Sequence, residues 1–132
     1  MSLSSTSNTP PSPPDRVHLM ILEAFLETLK DNPEAIEFDQ TMAIIDENYK
    51  FTPTAFRNGE LTNEAGQNSG SCKIYAFGQL HDLSEEETLA CFGHYYHEDV
   101  LQHPDGTDHQ NIRNFMKTGW AGIEFSGEAL SQ

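Results

Sequence analysis

The sequence predicts a mainly α (α+β) domain: about five helices around one core with a small antiparallel β-hairpin element. Three observations predict it. Apolar residues recur at helical spacing along most of the chain, Ser84 with Glu87 and Thr107 with Gln110 have capping-box spacing, and Asn58-Gly59 is a two-residue hairpin signal.

Taken in order, residues 1–14, "MSLSSTSNTPPSPP", carry no charge and consist mostly of Ser, Thr, Asn and Pro, which neither sustain a helix nor bury a core. They are expected to form a disordered tail, and residues 15–132 a single domain. Asp15 is the expected cap of a first helix reaching about Lys30, with Val17, Ile21, Leu22, Phe25, Leu26 and Leu29 forming a wide apolar arc. Pro33 breaks the chain or opens the next helix, placed at Glu37 to Tyr49 on the spacing of Phe38, Met42, Ile45 and Tyr49.

With Asn58 and Gly59 as the two central residues of the hairpin, Arg57 faces Glu60 and Phe56 faces Leu61. Residues 72–80 read as a helix through Ile74, Phe77 and Leu80, with Gly70 or Ser71 as its cap. Ser84 starts a helix to about Val100, and "HPDG" stops it. Thr107 opens a last helix whose apolar face is Ile112, Phe115 and Met116, ending near Gly119. "GIEF" at residues 122–125 is placed as a closing strand beside the hairpin.

Composition narrows the function. Seven Lys and Arg against 21 Asp and Glu give a formal charge of -14, which repels phosphate backbones and anionic membranes, so no nucleic acid is expected as a partner. The most apolar stretch, "VHLMILEAFLETL", is interrupted by His18, Glu23 and Glu27 and falls short of the ~20 residues of a membrane span; no membrane insertion is expected. The first residues have neither Lys or Arg nor an apolar run, so they do not read as a Sec-type signal. Cys72 and Cys91 suggest no disulfide framework, which points to reduced thiols in a cytoplasmic setting. The remaining partner classes are a small molecule or a protein.

Three groups of residues carry possible chemistry. "EAGQNSGSCK" ends in Cys72 at the expected start of a helix, where the helix dipole and Lys73 would favour the thiolate. This allows a cysteine hydrolase or acyl-transferase with Cys72 as nucleophile, His109 as base and Gln67 as oxyanion donor; the plain alternative is a cap with Cys72 packed as a small hydrophobe. On a continuous helix from Ser84, Glu87, Cys91, His94 and Glu98 share one face with His97 close by. These are ligand types for zinc or iron, but no ligand signature is complete, so no metal or other cofactor is expected. Third, "EAGQNSGSCK" and "GTDHQNIRN" are amide-rich, Gly-containing segments that each open a helix, where free N–H groups can bind an anion or an acyl group.

These segments carry a resemblance. "TMAIIDENYKFTPTAFRNG", "NEAGQNSGSCKIYAF", "ACFGHYY" and "GTDHQNIRNFMKTGWAGIEF" are similar to the HopJ type III effector family from about Phe38 to Phe125. The resemblance implies that Arg57, Asn58, Asn63, Glu64, Gln67, Asn68, Cys72, His109, Gln110, Asn111 and Arg113 belong to a family pattern, either a site or a buried polar network. It brings no catalytic residue, substrate or cofactor. It implies delivery into host cells for a true effector; members in free-living bacteria imply an intracellular task. The leading expectation is a binding or interaction module with a polar pocket lined by the loop Asn63 to Cys72 and the helix start His109 to Arg113.

Overall fold

The computed structural model describes the backbone of residues 14–131 and side chains from Leu22 onward. The expected tail and the packing of Val17 and Ile21 lie outside the described residues, whereas the expected cap at Asp15 is corrected, because the helix already includes Pro14. The first helix, α1, spans Pro14–Asp31, and Leu22, Phe25 and Leu29 of its arc are buried. A 3-10 turn at Pro33–Ala35 leads into α2, Phe38–Asn48, where the Gln40 side chain accepts a hydrogen bond from the Glu37 N–H. Next come β1 (Lys50–Phe51), β2 (Phe56–Asn58), β3 (Leu61–Asn63) and α3 (Ser69–Leu80). The chain continues with α4 (Glu85–Ala90), a π-helical turn (Tyr95–Val100) and α5 (Gln110–Thr118), and ends with a 3-10 turn (Gly119–Gly122), β4 (Ile123–Phe125) and β5 (Leu130–Ser131).

The buried apolar side chains form one cluster, centred on the central part of α3, where Ile74, Tyr75 and Phe77 have no exposed surface. The rings of Phe56, Phe92, Phe115 and Trp120 surround Tyr75 at centroid distances of 4.9 to 6.4 Å, within the range of favourable aromatic contacts. Two small antiparallel sheets edge this core. One pairs β1 with β5, and the other has the order β3-β2-β4, so "GIEF" does close the hairpin.

The hairpin register differs from the expected one. Asn58 pairs with Leu61, Arg57 with Thr62 and Phe56 with Asn63, which makes Gly59 and Glu60 the central residues. Only Gly59 has positive φ (+64°), the pattern of a turn with glycine at its first central position, so Asn58 is released to be a strand residue. The one-residue shift turns Asn58 inward beside Phe56 and sends Arg57 outward, where it meets Glu124 of β4 at 2.8 Å in place of Glu60.

The helix expected from Ser84 to Val100 is two pieces. Its capping box is present: the Ser84 hydroxyl accepts from the Glu87 N–H at 3.0 Å, and the Glu87 carboxylate accepts from the Ser84 N–H at 2.9 Å. After Ala90 the chain turns at Gly93, whose φ is +62° and where a Cβ would sit 2.6 Å from the Phe38 nitrogen. The start of α2 packs directly on this glycine, and Thr41 of α2 donates its hydroxyl proton to the Cys91 carbonyl at 2.8 Å. Tertiary contact therefore interrupts a segment whose side-chain periodicity reads as continuous.

Three smaller expectations are also corrected. Helix α3 begins at Ser69, with Asn68 as its N-cap, three residues ahead of the expected start. The box at Thr107 is not formed: His109 is the N-cap of α5, and the Gln110 side chain instead donates to the Thr107 carbonyl at 2.6 Å. Leu80 and Met116, both assigned to apolar faces, are 51% and 45% exposed.

Candidate cleft at two helix starts

Helices α3 and α5 begin in the same way. Their N-cap residues, Asn68 (φ 51°, ψ 49°) and His109 (φ 52°, ψ 48°), are both in the left-handed region, uncommon for residues other than glycine. Neither side chain caps its own helix. The first intrahelical bonds run from the Cys72 N–H to the Asn68 carbonyl and from the Arg113 N–H to the His109 carbonyl. The N–H groups of Ser69, Gly70 and Ser71, and of Gln110, Asn111 and Ile112, thus have no partner among the described hydrogen bonds.

Both helix starts line one cleft of about 510 Å³. Asn68, Gly70 and Ser71 come from α3, and His109, Gln110, Asn111 and Ile112 from α5; Phe38, Leu61, Phe92 and Tyr95 complete the walls. The Tyr95 ring stands edge-on to Phe38 at 5.1 Å and tilts over His109 at 5.2 Å. His109 Nε2 lies 3.2 Å from Asp99 and 3.6 Å from Asp108, so the imidazole is held by the π-helical turn and by the loop that precedes α5.

A chain of side-chain amides, buried except at Asn68, joins the two helix starts. Asn63 donates to Asn111 Oδ1 at 3.1 Å, and Asn111 donates back to Asn63 Oδ1 at 3.0 Å. Asn68 adds a 2.6 Å bond to the same Asn63 oxygen. From the other side, Asn58 donates to the Asn111 carbonyl at 2.7 Å, and the Tyr75 hydroxyl donates to that carbonyl at 2.8 Å. Burial at Tyr75 pushes the phenol pKa well up, so it remains a donor throughout the physiological range. Asn58, Asn63 and Asn111 are all buried, and this network ties β2, β3, α3 and α5 together.

Of the expected pocket residues, the structure brings Asn68, His109, Gln110 and Asn111 to the cleft and places Asn63 in the network that supports it. Arg57 and Glu64 are exposed and do not line it. Arg113 turns toward the preceding loop, donating to the carbonyls of His103 and Asp108 at 3.0 and 2.6 Å and to the Asp108 carboxylate at 2.8 Å. That hydrogen bond holds the Asp108 carboxyl below the ordinary carboxylate range. Phe38, Phe92 and Tyr95 were not anticipated as cleft walls. The sequence signal for the network was an asparagine two residues from Phe56, on the inward face of its strand.

The nucleophile arrangement is not assembled. Cys72 is 1% exposed, and its thiol donates to the Thr54 carbonyl at 3.5 Å. Burial pushes its pKa up, against a smaller lowering from that hydrogen bond, the reverse of activation. Lys73 points away to Asp46 at 2.8 Å and lies over the Phe51 ring at 5.0 Å. Gln67 folds back so that its side-chain oxygen accepts from the Glu64 N–H at 3.0 Å, and His109 is engaged by Asp99. The early helix start places Cys72 a full turn inside α3, within the core.

The metal reading fails for a related reason. The break at Gly93 separates Glu87 and the buried Cys91 from His94, His97 and Glu98, which stay together on a surface depression beyond it. Cys91 is fully buried, with its thiol pKa pushed well up by burial, whereas His94 is exposed and 3.9 Å from Glu37. Among the described residues no three His, Cys, Asp or Glu side chains gather as a metal site. No described helix is long and apolar enough to cross a membrane.

Comparison with known proteins supplies the wider context. The family model described as HopJ type III effector protein matches residues 22–130. A solved structure, titled as the crystal structure of the unknown function protein VPA0580, is similar with a TM-score of 0.82 at 60% sequence identity; the match covers 83% of this chain and 92% of the other. No protein of curated function matches.

Proposed function

The chain belongs to the HopJ type III effector family, and we propose that it acts as a binding protein whose ligand occupies the cleft between the starts of α3 and α5. The observation that carries this reading is the convergence of two helix starts on one cleft, where five residues with unpartnered backbone N–H groups and three aromatic side chains are among the lining. Each helix start contributes roughly half a positive charge, and the aromatic walls suit an apolar or planar body. His109 is the only cationic-type side chain among the lining residues, and the chain as a whole carries -14, so multiply charged anions are poorly served. The ligand class that fits is a small molecule or peptide end with a flat apolar body and a carbonyl or single carboxylate group.

Benzoate and N-acetylphenylalanine amide serve as probes for NMR titration of the labelled full chain. Binding at the cleft shifts the amides of residues 69–71 and 110–112, and Ser71→Trp, which fills the cleft, abolishes those shifts while the melting temperature is retained. If neither probe moves those amides, the paired helix starts and the asparagine network are structural only. The family description also motivates a reading of where the protein acts, namely delivery into host cells by type III secretion. A translocation reporter fused behind residues 1–14 tests it, and a signal that persists in a secretion-deficient strain overturns it.

A further inference from the structure

A second groove, of about 420 Å³, lies between the end of the π-helical turn and α5, and its lining includes Val100, Leu101, Pro104, Arg113, Met116 and Lys117. Three large apolar side chains are exposed among the described residues, and two of them, Leu101 at 47% and Met116 at 45%, line this groove. The charge pattern is the inverse of the rest of the molecule. Asp and Glu outnumber Lys and Arg 21 to 7 in the chain, yet no carboxylate lines the groove and two basic side chains do. Arg113 is spent on Asp108 and on the loop carbonyls, whereas Lys117 has no ion pair among the described residues. The neighbouring Asp99 is engaged by His109, and Asp105, although adjacent to Pro104 and Gly106, is not a lining residue.

We propose that this groove docks an amphipathic helical segment of a partner protein, with apolar side chains seated between Leu101 and Met116 and a carboxylate facing Lys117. Two helical walls bounding an apolar trough suit a third helix with anchors three or four residues apart. An unpaired ammonium beside exposed apolar surface selects an acidic neighbour to those anchors and rejects a basic one. A second copy of this chain is the poorer occupant, because each copy carries -14. This surface is separate from the proposed ligand cleft, although Gln110 borders both.

The test uses the labelled full chain and two synthetic, end-blocked 14-residue helical peptides with identical leucine anchors, one with glutamates beside the anchors and one with lysines. At about 0.15 M salt, where the Debye length is about 8 Å, local charge outweighs the distant acidic surface. The glutamate peptide is expected to shift Leu101, Met116 and Lys117 resonances and to bind at least fivefold more tightly than the lysine peptide. Lys117→Glu reverses that preference, Leu101→Glu removes binding, and Asp105→Asn leaves it intact, all three with unchanged melting temperature. Equal or tighter binding of the lysine peptide at the groove overturns the proposal. So do shifts confined to other surfaces, a doubling of mass that shows self-association through this face, and the absence of shifts with either peptide.

Discussion

Asn63 and Asn111 form a reciprocal amide pair, each donating to the other's side-chain oxygen, at 3.1 and 3.0 Å, with both side chains buried. The residues are 48 positions apart, and the pair connects the hairpin to the start of α5. Removing either side chain strands a buried amide, which costs about 1–3 kcal/mol. Asn63→Ala and Asn111→Ala are therefore expected to lower unfolding free energy in urea by that amount each. The double mutant should be less destabilised than the sum, with a coupling of about 0.5–3 kcal/mol. Strict additivity would show that the pair contributes nothing as a pair.

The cysteines give an alkaline signature. Burial raises the folded-state pKa of both Cys72 and Cys91, so the folded state favours the protonated thiols. The associated stability is fully present below the unfolded thiol value of about 8.5 and is lost as pH rises beyond it. Urea midpoints should accordingly fall above about pH 8.5, and fall less in Cys72→Ala. Iodoacetamide should label Cys72 only as fast as the protein opens; rapid labelling in the native state would restore the nucleophile reading.

His81 predicts the opposite slope on the acid side. Its Nε2 lies 2.6 Å from the Tyr49 hydroxyl, and burial lowers its pKa while raising that of Tyr49. A depressed histidine pKa means that the unfolded chain binds the proton more readily. The stabilising contribution is then present above the unfolded value of about 6.5 and fades as pH falls below it. NMR titration of the His81 ring should show a midpoint below the ordinary histidine value of about 6.5. Tyr49→Phe should cost about 0.5–1.5 kcal/mol, measured by thermal unfolding at neutral pH.

Gly93 sits at positive φ against the backbone of Phe38. Gly93→Ala must pay for left-handed backbone, about 1–2 kcal/mol, and for displacing the start of α2. The expected loss is above about 2 kcal/mol in urea unfolding, with Tyr95 and Phe38 resonances shifted. A cost near zero would mean that α2 yields easily at this contact.

Arg113 secures the segment that presents His109. Arg113→Met retains much of the packing but leaves the carbonyls of His103 and Asp108 without these donors. Hydrogen exchange is expected to accelerate across residues 103–109 by tenfold or more, and to change little in α3. Uniform acceleration across the chain would assign Arg113 to global stability instead.

Much of the fold was legible in the sequence because it rests on local rules. The Ser84–Glu87 capping box, the buried Leu22, Phe25 and Leu29 of α1, Ile45 in α2 and the closing strand at Ile123 each follow from spacing and side-chain chemistry within a few residues. The family pattern also marked four of the residues that line the cleft. What the sequence by itself determined is thus a mainly helical chain with a small antiparallel sheet, an acidic surface and two amide-rich helix starts. Tertiary structure decided the rest. The hairpin shifted by one residue because Asn58 is drawn inward to the Asn111 carbonyl, and the helix after Ser84 broke because α2 presses on Gly93. The same long-range packing buried Cys72 and brought Asn68 and His109 to one cleft, relationships between residues tens of positions apart that no local spacing encodes.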